Sequence, residues 1–116
     1  MSDDVFCKIA SGELPTEFIY RDDDVMVFED MKPNAPIHWL FVPVQHYDDV
    51  DDVVQNNEAL WGKLFRVIRD VAKEKELTKG YRLVINEGEY GGKLVPHVHV
   101  HLLSGKRLGP KMVVDK

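Results

Sequence analysis

The stretch "HVHVHLL" at residues 97–103 places a histidine at every second position of an apolar run. Successive side chains of a β-strand point to opposite faces, so this spacing predicts a strand with two unlike faces. One face would carry His97, His99 and His101, and the other Val98, Val100 and Leu102. The apolar face is a candidate for the core, and the histidine face is a candidate for a functional site.

Three imidazoles on one face admit three interpretations. Surface histidines of an edge strand are possible, but clustered rings repel one another when they are protonated. Alternating histidines can share a zinc ion, although His97 and His101 lie far apart for one ion in a regular strand. An imidazole can also attack an electrophilic centre such as phosphorus, because it titrates near neutrality and is nucleophilic when neutral. The spacing alone leaves metal binding and catalysis both open.

A glycine-bearing loop, "NEGEYGGKLVP" at residues 86–96, directly precedes the histidines. Its backbone N–H groups and the amide of Asn86 could donate hydrogen bonds to phosphoryl oxygens. A glycine pair by itself is more typical of a hairpin turn. Beside three histidines, it favours a phosphate site.

The remaining sequence predicts the fold class. Four more β-rich segments occur at residues 17–21, 25–31, 38–44 and 81–88. Val5, Phe6 and Ile9 have helical spacing and predict a short N-terminal helix, while residues 51–77 carry the pattern of one long amphipathic helix. We expect one α+β domain over residues 1–116, with a mostly antiparallel sheet of about five strands, two helices and a short tail at 105–116.

Composition excludes several function classes. The net charge of −5 offers no basic surface for a nucleic-acid backbone. No apolar run approaches the roughly 18 residues of a membrane span, and the N-terminus does not resemble a secretory signal, so a cytoplasmic protein without a membrane partner is expected. Cys7 is the single cysteine and can form no internal disulfide. The acidic clusters at 21–24 and 48–53 are interpreted as solvated turns and a helix start.

The residues 97–103 resemble the signature of the histidine triad family, His-x-His-x-His followed by two apolar residues. Residues 6–43, 80–93 and 104–110 are similar to the nucleotide-binding branch of that family, called Hint. The resemblance implies an HIT-like fold, a homodimer and no cofactor. It also implies hydrolysis of a purine nucleoside phosphoramidate, or a related adenylated compound, at the α-phosphorus.

The family pattern assigns a role to each matching residue. His99 would be the nucleophile, oriented by the backbone carbonyl of His97, while His101 would bind phosphate oxygens and His38 would lie beside the nucleophile. Asp30 would accept hydrogen bonds from the ribose hydroxyls. The base would contact Phe28, Met31 and Phe6, and the α-phosphate would be held by Asn86 and by N–H groups near Gly92 and Val95.

Two departures from the family pattern concern the loop before the triad. Lys93 and Leu94 stand where relatives carry Gln and then Ser or Thr, so a hydroxyl contact is missing. Lys93 could replace it as a point charge in the nucleotide site that favours an anionic leaving group, or it could be solvated. Pro96 stands where a tyrosine often precedes the triad, and it stiffens the approach to the strand.

Some relatives also bind structural zinc through two cysteines three positions apart and two histidines. Here Asp4 occupies the earlier cysteine position, which leaves Cys7, His46 and His97 as an incomplete set, and no metal is expected. On the long helix, Trp61 and Phe65 are candidates for the dimer contact or for ordinary core. Two alternatives to the phosphoramidase remain: a nucleotide-binding module without turnover, and a dinucleoside polyphosphate hydrolase.

Overall fold

The structure is a computed structural model and describes residues 4–110 of the chain. Three helices and five strands occur in this part, in the order α1 (Val5–Ser11), β1 (Phe18–Arg21), β2 (Val25–Glu29), β3 (Ile37–Pro43), α2 (Val50–Asn57), α3 (Ala59–Glu74), β4 (Arg82–Val84) and β5 (Val100–Ser104). The strands form one sheet in the order β1-β2-β3-β5-β4, and every neighbouring pair is antiparallel. The predicted α+β class is confirmed. Residues 111–116 of the predicted tail lie outside the described residues.

The sheet has a core on each face. On one face, buried side chains of α3 such as Leu64 and Ile68 pack against β2, β3 and β5. On the other face, Phe6 and Ile9 of α1 pack against β2 and β3. Each fully buried aliphatic side chain contributes roughly 1.5–3 kcal/mol, so these two layers hold the sheet in a fixed position. The short helix α1 thereby lies over β2 and β3 on the face to which β3 directs His38.

The prediction of one long helix over residues 51–77 is wrong in one respect. This segment is divided at Glu58 into the two helices α2 and α3. The side chain of Asp49 caps the start of α2 by accepting from the N–H of Asp52 at 2.8 Å. Near its end, the Asn56 amide donates to the carbonyl of Asp52 at 3.1 Å, and Asn57 donates to the Tyr47 hydroxyl. Asparagine side chains compete in this way for helix hydrogen bonds, which explains the break.

The final strand also differs from the prediction, because its regular part begins at Val100 rather than at His97. Pro96 has no N–H, and the N–H of His97 donates to the carbonyl of Val95 at 2.8 Å, closing a tight turn. The N–H of Val98 donates to the carbonyl of Tyr47 instead of to β3. Residues 97–99 are therefore held by a loop and not by the sheet ladder.

The acidic segments are a turn and a helix start, as the sequence predicted. Asp22 accepts from the N–H groups of Asp24 and Val25 in the turn between β1 and β2. Asp51 and Asp52 lie in the first turn of α2, where negative charge is favourable. Across residues 4–110, no helix combines the length and the apolar character that crossing a membrane requires.

Candidate active site

The histidine side chains converge on the sheet face that α1 covers. Leu40 pairs with His101 in the register of β3 and β5, which places His38 diagonally across from His101. The rings of His97 and His99 both lie edge-on to Phe6 of α1, with ring centroids 5.5 and 5.0 Å away. The alternation predicted from the sequence persists through the irregular segment, since Val98 and Val100 are buried in the opposite core.

The ring of His99 is fixed by the backbone two residues before it. Its Nδ1 lies 2.7 Å from the carbonyl oxygen of His97, and 8% of the residue is exposed. A carbonyl oxygen can only accept, so the proton of the neutral ring is on Nδ1 and Nε2 carries the lone pair. Burial lowers the pKa of His99, and the charges of His97 and Lys93 lower it further against the opposing effect of the carbonyl. The neutral, nucleophilic form is thus the favoured one.

A chain of hydrogen bonds also fixes the tautomers of His38 and His101. The N–H of Asn34 donates to Nδ1 of His38 at 3.0 Å, so Nε2 of His38 carries the proton. That nitrogen lies 2.9 Å from Nδ1 of His101, to which it donates. Nε2 of His101 then carries a proton of its own and is a hydrogen-bond donor. The sequence did not indicate the role of Asn34, because a backbone contact leaves no signal in residue type.

His101 is neutral over the physiological pH range. Its pKa is lowered to about 4, first by burial and then by the charges of His99 and His38. A neutral imidazole donates a hydrogen bond but is a very weak acid. His101 can therefore hold an oxygen of a bound phosphate without transferring its proton.

Asp30 and Asn86 lie at the edges of this histidine group. Asp30 Oδ1 accepts from the N–H of Lys32 at 2.8 Å, and its Oδ2 lies 3.5 Å from Nε2 of His38. The amide nitrogen of Asn86 is 3.5 Å from Nε2 of His101. Both polar groups therefore lie near the ring of His101.

The two residues predicted to contact a base occupy different environments. Phe28 is buried and packs against Phe6, with ring centroids 5.8 Å apart. Met31 is 90% exposed, so the protein itself does not bury its side chain. A contact between either residue and a base stays a prediction.

Three N–H groups of the glycine loop are bonded within the loop. Those of Gly91, Gly92 and Lys93 donate to the carbonyls of Glu87, Glu89 and Gly88, each at 3.1 Å. The N–H of Gly92, predicted as a phosphate donor, is therefore already engaged in this loop. Val95 packs against the core under α1, and within residues 4–110 its N–H donates to no protein acceptor. Val95 is the better placed of the two predicted donors.

Lys93 is not solvated. Only 11% of its side chain is exposed, its ammonium group donates to the carbonyl of Asp48, and it lies 3.7 Å from Oε1 of Glu87. The same Glu87 oxygen accepts from the N–H of Val50 at the start of α2. Leu94, in contrast, is 93% exposed. Of the two interpretations of Lys93, the solvated one is wrong, and its point charge lies close enough to affect His99.

A second polar cluster adjoins the first through His97. Asp4, Cys7, His46 and His97 each direct one oxygen, sulfur or ring nitrogen toward the others, and these four atoms lie within 4.8 Å of one another. The sequence predicted an incomplete ligand set with no bound metal, and the structure places the Asp4 carboxylate beside the other three groups. Residues 4, 7, 46 and 97 are distant in sequence, so only the fold brings them together.

The chain is similar to known proteins over most of its length. The profile of the HIT domain family matches residues 11–108. The purine nucleoside phosphoramidase of Escherichia coli (strain K12) is 38% identical over 109 residues, which cover 93% of this chain and 92% of that protein.

Solved structures give the same result. A histidine triad protein from Clostridium difficile superposes with a TM-score of 0.90 at 40% identity, covering 96% of this chain and 99% of the other. A HIT family hydrolase from Clostridium thermocellum superposes with a TM-score of 0.91 at 36% identity, covering 97% and 99%. The predicted HIT-like fold is thereby confirmed, and the chain belongs to the histidine triad family.

Proposed function

We propose that this protein is a hydrolase that cleaves purine nucleoside phosphoramidates, or related adenylated compounds, at the α-phosphorus. The observation that carries the proposal is the 2.7 Å hydrogen bond from Nδ1 of His99 to the His97 carbonyl. It leaves the lone pair on Nε2 of a neutral ring, which is the form in which imidazole attacks an electrophile. The similarity to a phosphoramidase of Escherichia coli supports this choice of substrate.

In the first step, Nε2 of His99 attacks the α-phosphorus and the phosphorus–nitrogen bond of the substrate breaks. The leaving nitrogen takes up a proton and departs as an amine. The ring becomes positively charged. The hydrogen bond that its Nδ1–H donates to the His97 carbonyl then becomes stronger and stabilises this charge. The product of this step is a nucleotidyl-histidine.

In the second step, water attacks phosphorus, the bond to Nε2 breaks and a nucleoside monophosphate is released. Water gives up one proton, which balances the proton taken by the amine in the first step. Throughout both steps the Nε2–H of His101 donates to a phosphoryl oxygen on which negative charge develops. Donors already oriented toward such an oxygen lower the barrier because no solvent must reorganise.

The nucleoside would be recognised at the edge of the histidine group. Asp30 keeps Oδ2 beside His38 while its Oδ1 accepts from the Lys32 N–H, and a carboxylate suits the two hydroxyls of a ribose. The base would cover Met31, whose side chain is otherwise exposed. Asn86 and the N–H of Val95 would hold the α-phosphate.

One observation favours a second candidate, a nucleotide-binding module with weak turnover. The N–H groups of residues 91–93 are bonded within the loop, so these three do not donate to a phosphate. A substrate with a more anionic leaving group, such as a dinucleoside polyphosphate, would gain from the charge of Lys93. We therefore include this compound class in the test.

We further propose that the protein acts as a homodimer. Phe65 is 44% exposed on α3 and lies beside Trp61, with ring centroids 6.3 Å apart. Exposed aromatic side chains of this kind are common at subunit contacts. A monomeric mass in light scattering would contradict the dimer.

The experiment compares wild type with His99→Ala on adenosine 5′-phosphoramidate and on a dinucleoside polyphosphate. We expect turnover of the phosphoramidate by wild type and a loss of at least about 10³-fold in the variant, since the nucleophile is removed. Acid-quenched wild type should also carry a labelled nucleotide on His99. Binding without turnover of either compound would support the second candidate, and equal turnover by both proteins would refute the role of His99.

A further inference from the structure

Two opposite charges lie side by side in the loop between β4 and β5. The ammonium group of Lys93 is 3.7 Å from Oε1 of Glu87, and it donates to the carbonyl of Asp48. The same oxygen of Glu87 accepts from the N–H of Val50, the first residue of α2, at 3.2 Å. Both charged groups are therefore attached to the segment that starts α2, and neither depends on the other alone for its position.

The backbone of this loop fixes where the two side chains begin. The N–H of Gly91 donates to the carbonyl of Glu87, and the N–H of Lys93 donates to the carbonyl of Gly88, each at 3.1 Å. The chain approaches itself so closely here that a Cβ atom at position 91 would collide with the carbonyl oxygen of Glu87, so the turn requires a glycine. Glu87 and Lys93 thus project from one short, closed segment.

This charged pair lies at the opposite edge of the histidine group from Asp30. In the sheet order β1-β2-β3-β5-β4, Asp30 directly follows β2, whereas Asn86 and Glu87 come after β4. The amide of Asn86, one residue before Glu87, is 3.5 Å from Nε2 of His101. A nucleotide with its ribose at Asp30 and its α-phosphate at His101 would therefore direct its leaving group toward Glu87 and Lys93.

The two charges are not equally screened by water. Only 11% of the Lys93 side chain is exposed, against 42% of the Glu87 side chain. A charge near solvent is screened more strongly than one that is largely buried, so the ammonium predominates and the carboxylate reduces its effect. Burial is the main reason for the low pKa of His99, and the charge of Lys93 lowers this pKa further. The potential of the pair therefore extends to the nucleophile.

We propose that Glu87 is a specificity-determining residue of the nucleotide site, because its carboxylate opposes the charge of Lys93 and limits the preference for an anionic leaving group. This inference rests on the proposed function, since it assumes a nucleotide bound at the histidines. The nitrogen of a phosphoramidate takes up a proton as its bond to phosphorus breaks, and an unopposed ammonium beside it would disfavour this positive charge. Glu87 thereby lets a chain that carries Lys93 accept amine leaving groups as well as phosphate-like ones.

The test compares the binding of two ligands that contain no phosphorus–nitrogen bond, α,β-methylene-ADP and adenosine 5′-methylphosphonate. Both carry adenosine, an α-phosphoryl group and a carbon atom next to it, but only the first continues into an anionic phosphonate. In Glu87→Gln, calorimetry at low ionic strength should show the affinity ratio rising about threefold in favour of α,β-methylene-ADP, because a repelling charge is removed. The substituted side chain keeps an oxygen that can accept from the Val50 N–H, so the loop stays attached to α2.

Glu89→Gln is the matched control, because it makes the same chemical change at an exposed position two residues away, and its affinity ratio should equal that of wild type. Lys93→Gln should shift the ratio about 10-fold in the opposite direction, and the double variant should lie between the two single variants. In about 1 M KCl, where charges are screened beyond about 3 Å, the effect of Glu87→Gln should nearly vanish. A change caused by altered loop structure would persist in salt.

The outcomes separate this inference from the proposed function. An unchanged ratio in Glu87→Gln, with both ligands still bound, would overturn the role of Glu87 and leave the proposed hydrolase intact. Equal weakening of both ligands would indicate a structural role and would also overturn it. A shifted ratio in a protein that turns over no phosphoramidate would support Glu87 and count against the hydrolase. Wild type that binds neither ligand would refute the nucleotide site and this inference together.

Discussion

His38 on β3 donates from Nε2 to Nδ1 of His101 on β5 across 2.9 Å. The bond exists because the two strands are neighbours and Leu40 is paired with His101, which brings the diagonal residue His38 within reach. The N–H of Asn34 sets its direction by donating to the other nitrogen of His38. A backbone group in a loop thereby decides which nitrogen of His101 carries the proton.

Replacing His38 tests this chain of hydrogen bonds from Asn34 through His38 to His101. In His38→Ala, Nδ1 of His101 loses its donor, and the ring is free to carry its proton on the wrong nitrogen. A buried hydrogen bond left unmade costs about 1–3 kcal/mol, so we expect kcat/KM on adenosine 5′-phosphoramidate to fall about 10- to 100-fold. His38→Asn, whose amide can also donate, should recover part of this loss. An unchanged kcat/KM in both variants would contradict a role for the hydrogen bond from His38 to His101.

The lowered pKa of His101 predicts how stability depends on pH. Its folded value of about 4 lies below the ordinary value of 6.5, so the unfolded chain binds more protons between these two pH values. At pH 7 the ring is neutral in both the folded and the unfolded chain. The free energy of unfolding falls as the pH drops from 6.5 toward 4, because protonation then favours the unfolded chain. Urea unfolding at pH 7 and 4.5 should show a loss of about 2 kcal/mol in the free energy of unfolding from this group. His101→Gln should lose measurably less, and an equal loss would contradict the assignment.

Lys93 should influence the choice of leaving group. Its charge is held by Glu87 and the Asp48 carbonyl close to the triad, and it would attract an anionic leaving group. In Lys93→Gln we expect kcat/KM for a dinucleoside polyphosphate to fall about 10-fold relative to that for a phosphoramidate with a neutral amine. Lys79→Gln removes an exposed charge that is not among the predicted site residues and serves as the control. The same ratio in Lys93→Gln and wild type would show that the charge has no such effect.

Asp30 should recognise ribose hydroxyls. Asp30→Asn keeps the oxygen that accepts from the Lys32 N–H, so the turn after β2 is preserved while the negative charge is removed. Calorimetry should show AMP binding weakened about 10-fold, because hydrogen bonds to a charged acceptor are the stronger ones. Binding of 2′,3′-dideoxy-AMP should be weak in wild type and change little in the variant. Equal weakening for both ligands would indicate a general effect of charge.

The fold was largely predictable because its signals are local. Alternation in strands and helical spacing in α3 recur within a few residues, and they predicted the class, the five strands and the exposed acidic turns. The break at Glu58 was missed because it depends on where the side chains of Asn56 and Asn57 find partners. The late start of β5 depends on the hydrogen bond from the Val98 N–H to the carbonyl of Tyr47, a residue 51 positions earlier in the chain.

By itself, the sequence determined that His97, His99 and His101 alternate, that a glycine loop precedes them and that the chain resembles the histidine triad family. The tertiary structure decided what each of these residues touches. It directed the His97 carbonyl to His99, turned the charge of Lys93 toward Glu87 and joined Asp4 to Cys7, His46 and His97. The physical reason is that a strand's alternation follows from local backbone geometry, whereas hydrogen bonds and ligand sets form between segments that meet only when the chain has folded.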